Sequence, residues 1–279
     1  MNTLLLIDGS NLLFQMFYGM PSRIINKDGI AIHGVIGFVG ALRKIIDMIA
    51  PTHIAVLFDG ECTNERKALD EQYKENRPDF NNLPEEELPF TQLPYITKAL
   101  DALGIHYAET ENCEVDDWIA SYAATYGCEN KIVISSFDSD FFQLVSDTVT
   151  VLRYRGDNTI CFTPDKIREK FGISPTQYAD YKSLVGDTAD NVRGVRAIGQ
   201  KTAQKLLAAH GTIDAILENL DLIPKRLRQA LTEDADRLAT NRRLITLKGS
   251  HRVPFSLDEL TYRHTPFTTN QILFAINLK

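Results

Sequence analysis

Three short apolar runs, each closing on aspartate, constrain the fold of this chain more than any other feature. "TLLLID" ends at Asp8, "HIAVLFDG" carries Asp59, and "KIVISSFDSD" carries Asp138 and Asp140. Runs of Val, Ile and Leu this short, bounded by turn residues, read as strands buried on both faces, which a parallel sheet covered by helices requires. Between them, "IHGVIGFVGALRKIIDMIA" and "EVDDWIASYAATYG" repeat their apolar residues with helical period. Alternating strands and helices predict an α/β fold with a mostly parallel central sheet flanked by helices.

The 279 residues leave room for one large domain or two small ones. Residues 61–90, "ECTNERKALDEQYKENRPDFNNLPEEELPF", are polar and too long for a simple connection, so they read as a lid or binding loop. A helix is predicted from about Leu93 to Leu103, closed by Gly104. After residue 170 the style changes to short helices with tight turns: "SPTQYADYKSLVG" opens on Ser174 as N-cap with Pro175 next. The division expected is residues 1–170 as an α/β core and 171–279 as a helical subdomain whose tail packs back on the core. No apolar run reaches the length of a membrane span. "MNTLLLIDGS" has a short apolar run cut by Asp8 and no positive leader, so no signal peptide is expected and the location expected is the cytoplasm. The four cysteines (Cys62, Cys113, Cys128, Cys161) form no CxxC pair and the histidines are scattered, which argues against zinc.

The acids carry the chemistry. Functional sites in open parallel sheets form outside the carboxyl ends of strands, where Asp8, Asp59, Asp138 and Asp140 fall. Glu114, Asp116 and Asp117 open a helix, and helices of such folds begin near the same edge. "GDTADN" adds Asp187 and Asp190, three apart. One acid at a helix start is favoured by the helix dipole alone. Nine converging on one edge is different, because like charges a few ångströms apart cost several kcal/mol unless protonated or neutralised. Hard divalent cations with all-oxygen ligation, Mg²⁺ or Mn²⁺, are the usual solution. Two of them about 4 Å apart activate a water and stabilise the leaving oxygen of a phosphodiester.

The net charge of −7 argues against a nucleic-acid partner until the nine acids are set aside, which leaves the remainder at +2. No acid occurs between Asn191 and Ile213, whereas Arg193, Arg196, Lys201 and Lys205 all fall there. The long insertion adds Arg66, Lys67, Lys74 and Arg77. "GVRAIGQK" has the Gly-apolar-Gly turn of hairpins that offer backbone N–H groups to a DNA phosphate.

"LLLIDGSNLLF", "VLFDG", "YKENRP", "EVDDWIA", "DSDFFQLV" and "GDTADNVRGVRAIGQKTA" together resemble the bacterial and phage 5′→3′ exonuclease and flap endonuclease family, which also forms the N-terminal domain of DNA polymerase I. The resemblance runs over roughly the whole chain and is read as one to the free-standing members. It implies a PIN-like or resolvase-like core, an arch over residues 61–90, and a helix-two-turn-helix at about 175–210 that grips duplex DNA. By resemblance, Asp8, Asp59, Glu114 and Asp116 hold one Mg²⁺ or Mn²⁺, and Asp138, Asp140 and Asp190 a second. Asp117 and Asp187 assist, partly through water. Tyr73 and Lys74 match arch residues that stack on and charge-stabilise the scissile nucleotide, with Arg77 beside them. A K⁺ ion on the main-chain carbonyls of Leu184, Val185, Arg193, Val195 and Ile198 is implied as well. The turn and helix start Arg196, Ala197, Ile198, Gly199, Gln200, Lys201 and Thr202 would meet the DNA backbone. The activity implied is hydrolysis of DNA at 5′ ends and 5′ flaps, by a monomer, in replication or repair.

The chain departs from the family pattern at three places. Phe137 stands where Gly usually precedes the "DxD" acids, Ala197 where Gly is common in the hairpin, and Asp70 where the arch lead-in is often aromatic. Two rival readings are a PIN-type ribonuclease, opposed by the hairpin and the insertion, and a catalytically inert DNA-structure-binding module, opposed by the complete acid set.

Overall fold

The structure is a computed structural model. It describes residues 1–60, 65–77, 80, 83–84 and 87–279. Positions 61–64, 78–79, 81–82 and 85–86 of the expected arch, Cys62 among them, lie outside the described residues.

Six strands form the main sheet: β1 (Thr3–Asp8), β2 (His53–Phe58), β3 (His106–Glu109), β4 (Lys131–Ser135), β5 (Val149–Arg153) and β6 (Ile160–Phe162). Their spatial order is β3-β2-β1-β4-β5-β6, with every pairing parallel except β5 with β6. The mostly parallel sheet read from the sequence is therefore what forms. Strand order reverses at β1, since the chain leaves it for β2 and β3 on one side and returns to β4 on the other. A crevice opens at such a switch point, beyond the carboxyl ends of the two strands.

Alternation along β1 shows why the strand is apolar on both faces. Leu4 and Leu6 point into one cluster with Ile119, Tyr122 and Phe141, while Leu5 and Ile7 point into the other with Leu13, Phe38 and Ile45. All four β1 side chains are fully buried. The second face is covered by α1 (Gly9–Gly19), α2 (His33–Ile49) and α4 (Leu93–Leu103); Gly104 closes the last in the left-handed region, at φ +63°.

The first face is covered by α5 (Val115–Tyr126), and its cluster runs on without a break into the C-terminal helices through Leu184, Ala203 and Leu231. In the described part of the insertion only α3 (Glu65–Leu69) is α-helical. Beyond the sheet come α6 (Pro164–Phe171), α7 (Tyr178–Val185), a two-stranded hairpin of β7 (Gly186–Asp187) and β8 (Val192–Arg193), and α8 (Gln200–His210). Four more helices follow: α9 (Ile213–Glu218), α10 (Lys225–Glu233), α11 (Ala235–Ile245) and α12 (Thr269–Ala275). The last lies against α2 and α4, so the tail returns to the sheet. No described helix is long and apolar enough to cross a membrane.

Candidate active site

The acids meet where β1 and β4 part. Asp8 is the last residue of β1 and the N-cap of α1: one oxygen accepts from Asn11 N at 2.9 Å and the other from Ser136 Oγ at 2.7 Å, across the crevice. Asp59, just past β2, accepts from Val115 N at 3.0 Å and so ties the second strand end to the head of α5. Asp138 accepts from Asp140 N at 2.8 Å, which folds the "DSD" turn back on itself.

The three acids at the head of α5 have three different fates. Glu114 is the N-cap residue but makes no side-chain cap; its carboxylate instead accepts from Lys74 Nζ at 2.8 Å and Arg66 at 3.0 Å. Asp116 faces Asp138, Asp59 and Asp8. Asp117 turns away, held bidentately by Arg66 at 2.9 and 2.8 Å and by Lys248 N at 2.9 Å. Both oxygens of Asp117 thus serve a buried ion pair.

A second group forms around the hairpin, where carboxylate oxygens of Asp140, Asp187 and Asp190 lie within 4.8 Å of one another. Lys182, from α7, donates to both Asp140 and Asp187 and is itself buried. The residues after α3 are stitched to the same loop: Lys74 N donates to Asp190 O at 3.0 Å, Asn76 Nδ2 to Thr188 O at 2.8 Å, and Asn191 Nδ2 to Gln72 O at 2.8 Å. Arg77 pairs with Asp190 at 2.9 Å. Tyr73 is only 3 % exposed, packed on Val192, Leu244 and Ile245, with its hydroxyl 3.4 Å from Glu114 and 3.3 Å from Asp190. In this arrangement its ring offers no open face for the expected nucleotide stacking, because Lys74 Nζ lies 4.9 Å from its centroid and apolar side chains cover the rest.

Crowding raises the carboxyl pKa values. Burial, then the charge of Asp59, pushes Asp8 up to about 7. Burial also pushes Asp140 to about 7, against the pull of Lys182. Asp116 is raised well above the ordinary carboxylate value by burial and then Asp138. Asp59 is raised by the protein packed round it, although the residue keeps exposed surface. For Lys74 and Lys182 burial works against the charge, but Glu114 for the first and Asp140 with Asp187 for the second outweigh it and keep both ammonium groups charged.

Sequence reasoning treated Arg66 as one more basic residue of the insertion and did not single out Lys182. The signal for Lys182 was legible, since Tyr178, Tyr181, Lys182 and Val185 share one helix face and a lysine on an apolar stripe needs a buried partner. In the turn between β8 and α8, Ala197 sits at φ +64°, in the left-handed region that favours glycine. Ile198 is buried. Arg196 pairs with Glu233, whereas Lys201 is exposed and has no ion pair among the described residues. Three of the five carbonyls expected to hold K⁺ already accept one hydrogen bond: Leu184 from Val195 N, Val195 from Ile198 N, and Arg193 from Asn241 Nδ2.

Comparison with known proteins decides the family. Residues 3–172 match the model of the 5′-3′ exonuclease N-terminal resolvase-like domain, and residues 173–267 that of the 5′-3′ exonuclease C-terminal SAM fold. The chain belongs to the 5′-3′ exonuclease family. It is 36 % identical over 264 residues to DNA polymerase I of Bacillus caldotenax and 34 % identical over 274 residues to that of Mycobacterium bovis. These alignments cover 93 % and 97 % of the chain but only 29 % and 30 % of the polymerases, so the chain spans under a third of their length. Its fold is that of the phage T5 flap endonuclease solved with DNA and metal ions, at TM-score 0.74 and 21 % identity over 99 % of both chains. The catalytic core of Rad2 with DNA substrate is more distant, at TM-score 0.59 and 15 % identity over 98 % of this chain and 88 % of that one.

Proposed function

We propose that this chain is a metal-dependent 5′ nuclease that hydrolyses phosphodiester bonds of DNA at 5′ ends and 5′ flaps, as a monomer, in replication or repair. The observation that carries this reading is the meeting of carboxylates from five chain segments with Lys74 and Arg77 of the insertion at one sheet edge. Family membership and the T5 flap endonuclease solved with DNA and metal ions support it.

The donors fit hard divalent ions. All are carboxylate oxygens, and burial, with neighbouring carboxylates adding to it, raises the pKa values of Asp8, Asp116 and Asp140. Asp8, Asp59, Glu114 and Asp116 would hold one Mg²⁺ or Mn²⁺; Asp138, Asp140 and Asp190 a second, with Asp187 assisting. Such a pair activates a water and stabilises the leaving oxygen.

The chain's own residues supply the rest. Ser136 and Asn11 fix the Asp8 carboxylate by its two oxygens. Tyr73, whose phenol stays protonated because burial and then Glu114 and Asp190 push its pKa up, holds those two carboxylates in place. Lys74 exchanges its bond to Glu114 for an oxygen of the scissile phosphate, and Arg77, half-exposed, steadies a neighbouring phosphate. The start of α8 holds duplex backbone through Gly199, Gln200, Lys201 and Thr202, with K⁺ on the hairpin carbonyls.

Digestion of one end-labelled 5′-flap duplex, with and without Mg²⁺ and beside a single-stranded RNA of the same sequence, tests the reading. Short 5′ products from the DNA in Mg²⁺ alone are expected. Preferential RNA cleavage would favour a PIN-type ribonuclease, and no cleavage an inert binding module. Equal duplex affinity in K⁺ and Li⁺ at matched ionic strength would remove the potassium site from the proposal.

A further inference from the structure

Beyond the acids, on the far side of β4 from the insertion, lies a row of cations that the catalytic reading does not use. Arg153 ends β5, and its guanidinium sits 4.7 Å from the ring centroid of Phe142, 5.3 Å from Phe162 and 6.0 Å from Phe137. Arg155, two residues on, lies 5.5 Å from the same Phe137 ring. Neither arginine has a carboxylate partner among the described residues, and Arg153 Nε is buried with no acceptor.

Arg153, half-removed from water with no ion-paired carboxylate among the described residues, is costly to bury: desolvation lowers its pKa although the charge of Asp138 acts against that. Aromatic faces offset only part of that. What they supply is position. The Phe137 N–H donates to Asn11 Oδ1 at 3.1 Å, and Gln15 Nε2, one turn further along α1, donates to Tyr154 O at 2.8 Å. One helix thus fixes both the ring and the β5 extension that carries the arginines. The tip of the β5–β6 connection is ordered by its own bonds, Arg155 N to Thr159 Oγ1 at 3.0 Å and Asn158 N to Arg155 O at 3.0 Å.

A planar guanidinium held by its face presents its N–H edge, which matches the paired oxygens of a phosphodiester. Strands β4 and β5 are adjacent, about 4.8 Å apart, and Asp138 directly follows Phe137. A phosphate on these arginines therefore neighbours the carboxylates. Lys74 and Arg77 flank the acids from the insertion, which leaves β2; Arg153 and Arg155 flank them from β5, beyond β4.

We propose that Arg153 and Arg155, both seated on the Phe137 ring, form a subsite for a backbone phosphate of the cut strand, on the side of the scissile bond away from the arch. The proposal rests on the reading of the site as a DNA nuclease. The subsite positions the strand and takes no part in bond breaking. It reads backbone and carries no base preference.

The test uses 5′-flap duplexes whose cut strand carries one neutral methylphosphonate linkage, moved position by position, with binding measured in Ca²⁺. The wild-type protein should lose affinity about tenfold at one linkage on the duplex side of the cleavage site, as expected for a lost charged hydrogen bond. Arg155→Gln and Arg153→Gln should bind the unmodified duplex about tenfold more weakly, be indifferent to the neutral linkage at that one position, and lower the salt slope by about 0.9 for the phosphate lost. Arg155→Lys should recover the salt slope but only part of the affinity. Phe137→Leu, which keeps bulk and removes the ring, serves should Arg153→Gln fail to fold, and should weaken binding without changing the salt slope. Variants with wild-type affinity, or a neutral linkage that costs them as much as it costs wild type, would overturn the subsite. A wild-type protein that neither binds nor cuts the flap would instead overturn the nuclease reading beneath it; one that cuts normally while the variants are unaffected overturns the subsite alone.

Discussion

Arg66 grips both oxygens of Asp117, at 2.9 and 2.8 Å, and also reaches Glu114 at 3.0 Å, with all three side chains buried. The first helix of the insertion is thereby locked to the head of α5, and two adjacent aspartates acquire opposite duties. Removing one partner of a buried pair leaves an uncompensated charge, at a cost of about 3–5 kcal/mol. Arg66→Gln and Asp117→Asn should each lose stability of that order in urea denaturation. Asp117→Asn should still cleave in Mg²⁺ within about tenfold of wild type at 20 °C or below, whereas Asp116→Asn should lose cleavage and not stability. Equal loss of turnover in the two variants would contradict this division.

Asp8 sets a pH dependence. Its carboxyl titrates near 3.8 when unfolded and near 7 when folded without metal. Below about pH 4 it is protonated in both states and costs nothing. As pH rises through 7 the folded state must hold the charge, and stability is lost across that window. Asn cannot ionise and is as good an N-cap. In EDTA, Asp8→Asn should melt above wild type at pH 8, by an amount reflecting a few kcal/mol, and the gap should close towards pH 4. A gap independent of pH would refute it.

Lys182 is the resident counter-ion of Asp140 and Asp187. Lys182→Met removes the charge and keeps the stem. The metal-free protein should be destabilised by about 3 kcal/mol or more, while the freed carboxylates bind Mn²⁺ more tightly in a calorimetric titration. Weaker Mn²⁺ binding would show that the ammonium organises this acid group for metal and does not compete for it.

Lys74 sits 2.8 Å from Glu114 and is nearly buried, so it is no solvated loop lysine. If its charge is needed more in the transition state than in the ground state, Lys74→Ala should lower the single-turnover rate by about 10²–10³, the loss typical of a preorganised charge. An unchanged rate would leave it a purely structural ion pair.

Ala197, at φ +64°, bears a side chain where the backbone favours none. The left-handed region costs a non-glycine residue about 1–2 kcal/mol, offset in part by the greater freedom of unfolded glycine. Ala197→Gly should stabilise the protein by about 1 kcal/mol in urea denaturation, and a destabilised variant would mean that the methyl group has a packing role.

Neighbouring residues alone dictate the layers of this protein and the edge at which its acids gather. Leu4 to Ile7 have no polar face to show solvent, so they had to be a strand covered on both sides, and an aspartate at the end of such a strand has to emerge at the carboxyl edge. These signals are local: period, capping and strand length are written in neighbouring residues. Which cation answers which acid is not local. Arg66 meets Asp117 across 51 residues and Tyr73 meets Asp190 across 117. Only the packing of the insertion on α11 and the hairpin turned Tyr73 inward, and only the reach of Arg66 to the head of α5 made Asp117 a structural partner. Only α7 against the "DSD" turn and the hairpin set Lys182 between two aspartates. Coulomb attraction between such groups depends on separation in space and on burial, and both are fixed only when the sheet, the insertion and the C-terminal helices close on one another.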